Sequence, residues 1–330
     1  MKVIQCGLGG MGAHWIRTVR AQSEVEFAGF VEIDAATAQK RAAEFNLDPA
    51  LIFPSLEAAL SSVRADGVID VTPPGAHKAV AFAAMDAGLP VLAEKPLAGT
   101  RADAQAIVEK SSATGVLLMV AQNYRYSPVA QTVKNVLDSG ELGAPGTAPG
   151  AISVRFFKGP HFGGFREEMA HPLIVDMSIH HFDLMRFFLS SDPVEVTARS
   201  WNPPWSWYKG DASAAVTARF ANGAVVNYTG SWCSQGQETP WNADWRFECA
   251  AGVLTLQDDR IYVQRLGDEA RREVPSMAMA RQAQAYLLRE FYEAVTQGRR
   301  PATTCQDNLR TVNFVFDAVQ SCETGAVVRG

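Results

Sequence analysis

The sequence predicts an α/β protein: a doubly wound parallel sheet, followed by an α+β domain whose sheet is largely antiparallel and open on one face. In the first 121 residues, short apolar runs alternate with amphipathic helical patterns, as in a parallel sheet covered by helices on both faces. Between residues 211 and 266, apolar and polar residues alternate instead. A length of 330 residues suits two domains, which we predict at 1–121 and 122–330.

The first domain contains short apolar runs that we predict to be its parallel strands. They are continuous and bounded by turn residues, which is typical of strands buried on both faces. The alanine-rich stretches between them predict the covering helices. The predicted strands are Val3–Cys6, Val25–Val31, Gly67–Val71, Pro90–Ala93 and Val116–Val120.

The second domain is predicted to bind substrate and to form the oligomer. The dipeptide Asn222-Gly223 between two alternating runs predicts a β-hairpin. The exposed face of such a sheet needs polar residues or a partner subunit, so we expect a homodimer or homotetramer formed through this sheet. Two late helical patterns, Gln282–Thr296 and Cys305–Thr324, could return to brace the first domain. Before the hairpin we predict a loop at Gly143–Gly150, a strand at Ile152–Phe157, a glycine-rich loop around Gly163-Gly164 and a helix over Leu173–Leu189.

Composition and charge exclude several classes of protein. The net charge of -5 is spread along the chain, which argues against nucleic-acid binding. The five cysteines are scattered and show no spacing typical of zinc or a redox dithiol, so we expect a reducing compartment. The chain starts directly with a predicted strand and has no apolar run of membrane-spanning length, so we expect a cytoplasmic protein that does not bind membranes.

The first predicted strand runs into Gly7-Leu8-Gly9-Gly10-Met11-Gly12, a G-x-G-x-x-G motif followed by a helical pattern. Gly7 permits the tight turn, Gly9 lets the backbone approach a pyrophosphate, and Gly12 allows close packing of helix on sheet. Glycines also serve ordinary turns, but here strand, loop and helix occur in the order that dinucleotide binding requires. We therefore predict a Rossmann domain whose cofactor contacts include Gly7, Gly9, Gly10, Met11 and Gly12.

Glu32 follows the second predicted strand, about 20 residues beyond the glycine motif. A carboxylate there can accept hydrogen bonds from the ribose hydroxyls of NAD and would repel the 2′-phosphate of NADP. No Arg or Lys follows until Lys40, so we expect NAD rather than NADP. The alternatives are a solvated charge at the strand end for Glu32 and a helix cap for Asp34.

Later motifs give the chain a resemblance to a known family. They are Val71-Thr72-Pro73-Pro74 followed by His77, Glu94-Lys95-Pro96, Asn123-Tyr124-Arg125-Tyr126 with Pro128, and Asp176-Met177-Ser178-Ile179-His180-His181-Phe182-Asp183. Over nearly its whole length the chain resembles the glucose-fructose oxidoreductase and inositol dehydrogenase family, known as Gfo/Idh/MocA. It departs from the family pattern at Ser178, where glycine is usual, and around His171-Pro172, where glycines usually precede the helix, which affects the expected shape of the substrate pocket.

The resemblance implies a catalytic set of Lys95, Asp176 and His180. It also implies cofactor contacts from the motif residues of the first domain and substrate contacts from those of the second. The implied cofactor-binding residues are Thr72, Pro73, His77, Glu94, Lys95 and Asn123, and the implied substrate-binding residues are Lys95, Tyr124, Arg125, Asp176, His180 and Asp183.

Asp176 and His180 lie one helical turn apart, and Asp183 falls on the same face. The pair could be a buried histidine satisfied by its carboxylate neighbour, or part of a metal site, although a third ligand is missing and we expect no metal. Oxidation of an alcohol needs a base near neutral pH, and histidine suits this role. Our hypothesis is that His180 takes the proton from the substrate hydroxyl and that Asp176 orients both this hydroxyl and the imidazole.

Each of the remaining candidate residues has two possible roles. Lys95 would hydrogen-bond the reacting oxygen at the end of a parallel strand, or it is a surface lysine before a proline turn. Arg125 lines a cleft near the nicotinamide or forms an interdomain salt bridge. The aromatic segment Trp201–Tyr208 suits a subunit interface, or a lid near a neighbour's site.

These features predict an NAD-dependent dehydrogenase that oxidises a secondary hydroxyl of a sugar, glycoside or cyclitol, a small-molecule polyol. The alternatives are an oxidoreductase of a non-sugar such as a dihydrodiol or other carbonyl compound, a glycosidase that recycles NAD, and a sensor that binds NAD without turnover. A sensor would have no need of Lys95, Asp176 and His180.

Overall fold

The computed structural model describes residues 1–144 and 148–330, so part of the predicted loop Gly143–Gly150 lies outside the described residues. The chain forms two compact units, each with parts from separate stretches of sequence. The first unit comprises Met1–Asn123 and Arg281–Val312, and the second comprises Tyr124–Ala280 and Asn313–Gly330.

The first unit is built on a parallel sheet with the strand order β3-β2-β1-β4-β5-β6. Its central strands are buried on both faces, which is why they appear in the sequence as continuous apolar runs. The edge strand β3 was not predicted, because two residues are too few to give a pattern. The strands are β1 (Lys2–Cys6), β2 (Glu26–Val31), β3 (Ile52–Phe53), β4 (Gly67–Asp70), β5 (Val91–Ala93) and β6 (Leu118–Val120).

Three of the helices between these strands begin at side-chain caps. Asp34, Ser55 and Thr100 each accept a hydrogen bond from the backbone N–H three residues later, which stabilises the first turn of α2, α3 and α5. The helices of this part of the unit are α1 (Gly10–Arg20), α2 (Ala35–Phe45), α3 (Leu56–Ser62), α4 (His77–Asp86) and α5 (Arg101–Thr114).

The stretch Arg281–Val312 folds with the first unit although it follows the second in the chain. Glu24 pairs with Arg281 at 2.7 Å and with Arg289 at 2.8 Å, and the Gln22 side chain donates to the Ala285 carbonyl. The stretch contains α8 (Ala283–Gln297) and the start of α9 (Cys305–Thr324). Polar contacts therefore join the end of α1 to α8.

The second unit is built on a sheet with the order β14-β13-β12-β11-β7-β10-β9-β8-β15. Neighbouring strands are antiparallel except β7 and β10, which are parallel. The hairpin predicted at Asn222-Gly223 is confirmed, with Val225 opposite Arg219 and Gly223 at a φ of +90°. The strands are β7 (Ala151–Phe157), β8 (Pro193–Trp201), β9 (Ser213–Phe220), β10 (Val225–Ser231), β11 (Asp244–Cys249), β12 (Gly252–Gln257), β13 (Arg260–Arg265), β14 (Arg272–Val274) and β15 (Val328–Arg329).

One face of this sheet is covered and the other is open. On the covered face, Phe182 of α7 (Ser178–Leu189) stacks on Phe314 with ring centroids 4.2 Å apart, and Phe188 meets Trp245 edge-on. The open face carries exposed polar residues such as Arg155, Thr217 and Asn227. The alternation predicted from the sequence is therefore present, and the homo-oligomer expected to use this face stays a prediction.

The helix that precedes β7 is α6 (Pro128–Asp138).

The predicted helix over Leu173–Leu189 differs at its start. Leu173–Met177 forms a π-helical turn, and the α-helix α7 begins only at Ser178. A π turn takes up more residues than an α turn, so the phase of the side chains shifts at this point. Asp176 therefore lies in the π turn and His180 in the α-helix, on the two sides of the junction.

Within the described part of the chain, no helix is long and apolar enough to cross a membrane.

A buried ion pair joins Arg125 to Asp183 of α7 within the second unit. Arg125 donates from Nε and Nη2 to the two carboxylate oxygens of Asp183, both at 2.6 Å, and their side chains are 7% and 1% exposed. Arg186 adds a second positive charge 3.9 Å from the same carboxylate. Each of these two residues therefore balances the charge of the other in the core. Their assignment as substrate-binding residues stays a prediction. The salt bridge expected for Arg125 is therefore present, and both of its residues belong to the second unit.

We expect Asp183→Asn to lower the free energy of unfolding by about 3–5 kcal/mol, because a neutral amide would replace the carboxylate that faces the buried charge of Arg125. Urea unfolding followed by circular dichroism measures the change. The exposed pair of Lys134 and Asp138 provides the control, since Asp138 is 58% exposed. Asp138→Asn should cost no more than about 0.5 kcal/mol. Equal costs for the two variants would contradict a structural role for the Arg125–Asp183 pair.

Candidate active site

The glycines of the first loop divide into two groups by the space around them. A Cβ on Gly7 would lie 2.6 Å from the Val71 carbonyl oxygen, and one on Gly12 would lie 2.4 Å from that of Gly7. Around Gly9 and Gly10, by contrast, no described atom beyond the adjacent residues and the backbone of α1 itself lies within 4 Å of the position that a Cβ would take. Gly7 and Gly12 thus permit backbone packing, while Gly9 and Gly10 leave open space at the N-terminus of α1. Met11, in the same turn, is 42% exposed.

Glu32 is tied to the glycine loop. One oxygen of its carboxylate accepts the Leu8 N–H at 2.8 Å and the other accepts the Asp34 N–H at 2.9 Å. Each oxygen keeps a lone pair for a further donor, so the residue can still receive hydroxyl groups. Asp34 caps α2, as its alternative reading proposed, and the hydrogen bonds from Thr37 lower the pKa of its carboxyl.

Arg41 also contacts the glycine loop, a contact that was not predicted from the sequence. From α2 it donates to the carbonyl oxygens of Leu8 at 2.8 Å and Gly9 at 3.3 Å, and it pairs with Glu44. Its position two helical turns after Asp34 is the only signal in the sequence. Arg41 stabilises the loop through backbone oxygens, and Glu44 offsets its charge.

The Thr72-Pro73 turn after β4 is held from two directions. The Thr72 N–H and hydroxyl both donate to the buried carboxylate of Asp70, at 3.0 and 2.6 Å. The ring nitrogens of the buried His77 face the carbonyl oxygens of Thr72 and Pro96, at 2.8 and 2.9 Å. His77 therefore connects two loops. The cofactor contact that the resemblance implies for it stays a prediction.

Glu94 and Lys95 follow β5 at the carboxyl edge of the parallel sheet. The Glu94 carboxylate accepts the Trp15 indole N–H at 2.8 Å and the Lys95 N–H at 3.1 Å, and burial raises its pKa. This links α1 to the segment that carries Lys95, whose peptide bond to Pro96 is cis. Asn123 follows β6 at the same edge, where open α/β sheets bind their ligands.

Asp176 and His180 are both buried in the second unit, with different neighbours. Asp176 accepts a hydrogen bond from Arg166 Nε at 2.6 Å. The His180 imidazole stacks on the ring of Tyr124, with centroids 4.2 Å apart and planes at 16°. Burial raises the pKa of the Tyr124 hydroxyl, which is therefore a neutral phenol. Arg166 had no signal in the sequence, since it lies ten residues before Asp176 in a loop.

His181, the neighbour of His180, belongs to the core. Its Nε2 lies 3.0 Å from the Trp241 carbonyl oxygen and its Nδ1 lies 3.3 Å from the Tyr228 hydroxyl. Burial lowers its pKa to about 4, so it is neutral near pH 7. Ser178, which replaces the usual glycine of the family, donates to the same Tyr228 hydroxyl at 2.9 Å. The departure at Ser178 thus contributes to a buried hydrogen-bond network.

The aromatic segment Trp201–Tyr208 packs within the second unit. Trp205 donates its indole N–H to the Cys233 carbonyl, and Tyr208 stacks on Trp232 with centroids 5.6 Å apart. The Trp201 and Trp205 side chains remain exposed, at 45% and 53%. The role of the segment Trp201–Tyr208 as a subunit interface or a lid stays a prediction.

Comparisons with known proteins give the family. Residues 1–122 match a model described as an oxidoreductase family with an NAD-binding Rossmann fold, and residues 130–254 match the GFO/IDH/MocA C-terminal domain. An uncharacterized protein, y4oX, of Sinorhizobium fredii is 30% identical, with 99% of this chain and 95% of that protein covered. Inositol 2-dehydrogenase 1 of Saccharopolyspora erythraea is 28% identical, with 98% and 94% covered.

A solved structure supports the fold. An oxidoreductase from Agrobacterium radiobacter, in complex with NAD+, L-tartaric acid and magnesium, superposes with a TM-score of 0.90 at 22% identity, covering 100% of this chain and 98% of that one. The chain therefore belongs to the Gfo/Idh/MocA family of oxidoreductases, enzymes that act on alcohol groups and carry an NAD-binding Rossmann domain.

Proposed function

We propose that the protein is an NAD-dependent dehydrogenase that oxidises a secondary hydroxyl of a sugar, glycoside or cyclitol. The observation that carries the proposal is the glycine loop with the Glu32 carboxylate bonded to it, in a chain that retains Lys95, Asp176 and His180. Relatives named inositol 2-dehydrogenase, D-apiose dehydrogenase and D-xylose 1-dehydrogenase support a polyol substrate.

The first unit suits a dinucleotide. The open space at Gly9 and Gly10, beside the free N–H groups at the start of α1, fits a pyrophosphate. The Glu32 carboxylate supports NAD over NADP, because a 2′-phosphate would bring negative charge to a carboxylate already fixed by the loop. When bound, the nicotinamide accepts the hydride.

In this proposal the protein's own residues move the proton. His180 accepts it from the carbinol hydroxyl, and stacking on Tyr124 restricts the rotation of its ring. Asp176 orients the hydroxyl, and Lys95 hydrogen-bonds the reacting oxygen as it gains alkoxide character. The proposal also includes a homodimer or homotetramer formed through the open face of the second unit's sheet.

A second candidate is oxidation of a non-sugar. A relative named 4-carboxy-2-hydroxymuconate-6-semialdehyde dehydrogenase, 25% identical over 91% of this chain, favours it. Turnover of carbonyl hydrates or dihydrodiols, with no turnover across a panel of sugars, inositols and glycosides, would select this candidate.

We expect His180→Ala and Lys95→Ala to lower kcat by about 10²–10⁴-fold, because each removes a group that acts on the reacting hydroxyl. NADH formation with a panel of monosaccharides, inositols and glycosides measures this. NAD binding and the Tm serve as controls and should stay close to those of the wild type. Undiminished kcat in a folded His180→Ala protein would refute its role as the base.

Glu32→Gln should lower the ratio of kcat/KM for NAD to that for NADP by at least about tenfold, since it removes a negative charge facing the 2′-phosphate. Asp34→Asn is the matched control. It removes a neighbouring carboxylate but keeps a good helix cap, so it should change neither the ratio nor the stability. If both variants change the ratio equally, the total negative charge of this region determines the cofactor preference, which would contradict a specific role for Glu32.

The two groups of glycines should respond differently to substitution. Gly12→Ala should lower the free energy of unfolding by about 1–3 kcal/mol, because its Cβ would overlap the Gly7 carbonyl. Gly9→Ala should keep the Tm and weaken NAD binding, because its Cβ would enter the space assigned to the pyrophosphate. Thermal unfolding and a titration with NAD followed by tryptophan fluorescence separate these effects. Unchanged NAD affinity in Gly9→Ala would contradict the assigned position.

A further inference from the structure

Arg166 is held in one orientation beside Asp176. It lies in the short 3-10 turn Gly164–Glu168 and donates its Nε–H to Asp176 Oδ2 at 2.6 Å. Its guanidinium carbon stands 4.7 Å from the ring centroid of Phe165 and 5.7 Å from that of Phe162. The carboxylate thus fixes one edge of the guanidinium, and aromatic rings lie against it.

The opposite edge of the same guanidinium is available. Among the described residues, no acceptor receives a hydrogen bond from its two terminal amino groups, and the side chain is 30% exposed. The neighbouring acids have other partners, since Glu167 contacts His161 at 2.7 Å and Glu168 contacts Lys209 at 2.6 Å. Arg166 is therefore an oriented cation with unused donors.

The contrast with Arg125 shows what is unusual here. The guanidinium of Arg125 donates from Nε and Nη2 to the two carboxylate oxygens of Asp183, and the side chain is 7% exposed. Arg125 therefore has a structural partner of matching shape. Arg166, by contrast, donates to Asp176 from Nε alone. Two parallel N–H groups of a guanidinium match the two oxygens of a carboxylate, and an arginine that is already oriented loses little entropy on binding one.

We propose that Arg166 binds a carboxylate of the substrate, and that the substrate is therefore a polyhydroxy acid, of the aldonate or uronate class, in preference to a neutral sugar. This inference rests on the proposed dehydrogenase function. The acid is held by Arg166 while Asp176, on the other edge of the same guanidinium, faces a hydroxyl of the same molecule. Arg166 then determines specificity, and the catalytic residues stay as proposed.

The test compares acids with neutral analogues of the same carbon skeleton. The pairs are D-gluconate with D-glucitol and D-glucuronate with D-glucose, assayed by NADH formation. We expect the acid to have the higher kcat/KM by at least about tenfold, and Arg166→Met to lower that acid-to-neutral ratio about tenfold to hundredfold, mainly through the KM of the acid. Arg166→Lys should keep part of the preference, since it keeps the charge but not the fork.

Lys209→Met is the matched control, because Lys209 is a nearby exposed cation whose partner is Glu168. It should leave the acid-to-neutral ratio unchanged. If Arg166→Met lowers kcat/KM equally for acids and neutral analogues, Arg166 acts only through Asp176, and the proposal is overturned. A wild-type preference for the neutral members overturns it as well.

A binding measurement separates this proposal from the proposed function. Calorimetric titration of the NADH-loaded enzyme with D-gluconate and D-glucuronate needs no turnover. Binding that weakens at least about tenfold in Arg166→Met supports the carboxylate site even if every alcohol fails as a substrate, in which case only the dehydrogenase assignment fails. Turnover of neutral polyols with no binding of either acid overturns the carboxylate site alone, and absence of acid binding without any turnover overturns both.

Discussion

The close approach of α1 to the end of β1 is the constraint on which the first unit depends. A Cβ at Gly12 would lie 2.4 Å from the Gly7 carbonyl oxygen, so helix and loop can meet only where a side chain is missing. That contact fixes the loop, and Glu32 and Arg41 then bind its N–H and carbonyl groups from either side. The resulting N-terminus of α1 is open above Gly9 and Gly10, which is what an anionic group needs.

The second unit contains two Arg–Asp pairs that differ in burial and in the number of hydrogen bonds between the partners. Asp183 in α7 pairs with Arg125, and both are buried, so losing either partner would leave an uncompensated charge in the core. Asp176, which lies in the π turn before α7, accepts a hydrogen bond from Arg166 Nε at the edge of the core. Exposure and the number of donors used, rather than residue identity, distinguish the structural pair from the candidate binding pair.

Much of the fold could be predicted from the sequence, because buried parallel strands leave apolar runs and the hairpin at Asn222-Gly223 has its own turn signal. The two-residue β3 and the π turn at Leu173–Met177 could not, since one is too short to show a period and the other changes the period on which the prediction relied. Local motifs also placed Glu32 and Lys95 at strand ends. The Arg125–Asp183 pair spans 58 residues, and no spacing in a single sequence reveals such a contact.

The adjacent histidines of α7 show how the environment decides between equal residue types. The sequence separates His180 from His181 only by the family resemblance and by the spacing of one helical turn between Asp176 and His180. In the structure, burial lowers the pKa of His181 to about 4, and its two ring nitrogens face the Trp241 carbonyl and the Tyr228 hydroxyl. A base must hold a proton near neutral pH and must have a nitrogen to receive it, so His181 fails on both counts. Ser178, where the family usually has glycine, donates to the Tyr228 hydroxyl that His181 Nδ1 also faces, so the substitution reinforces the structural role of His181. The environment of His181 is consistent with the proposal that the other histidine, His180, is the base.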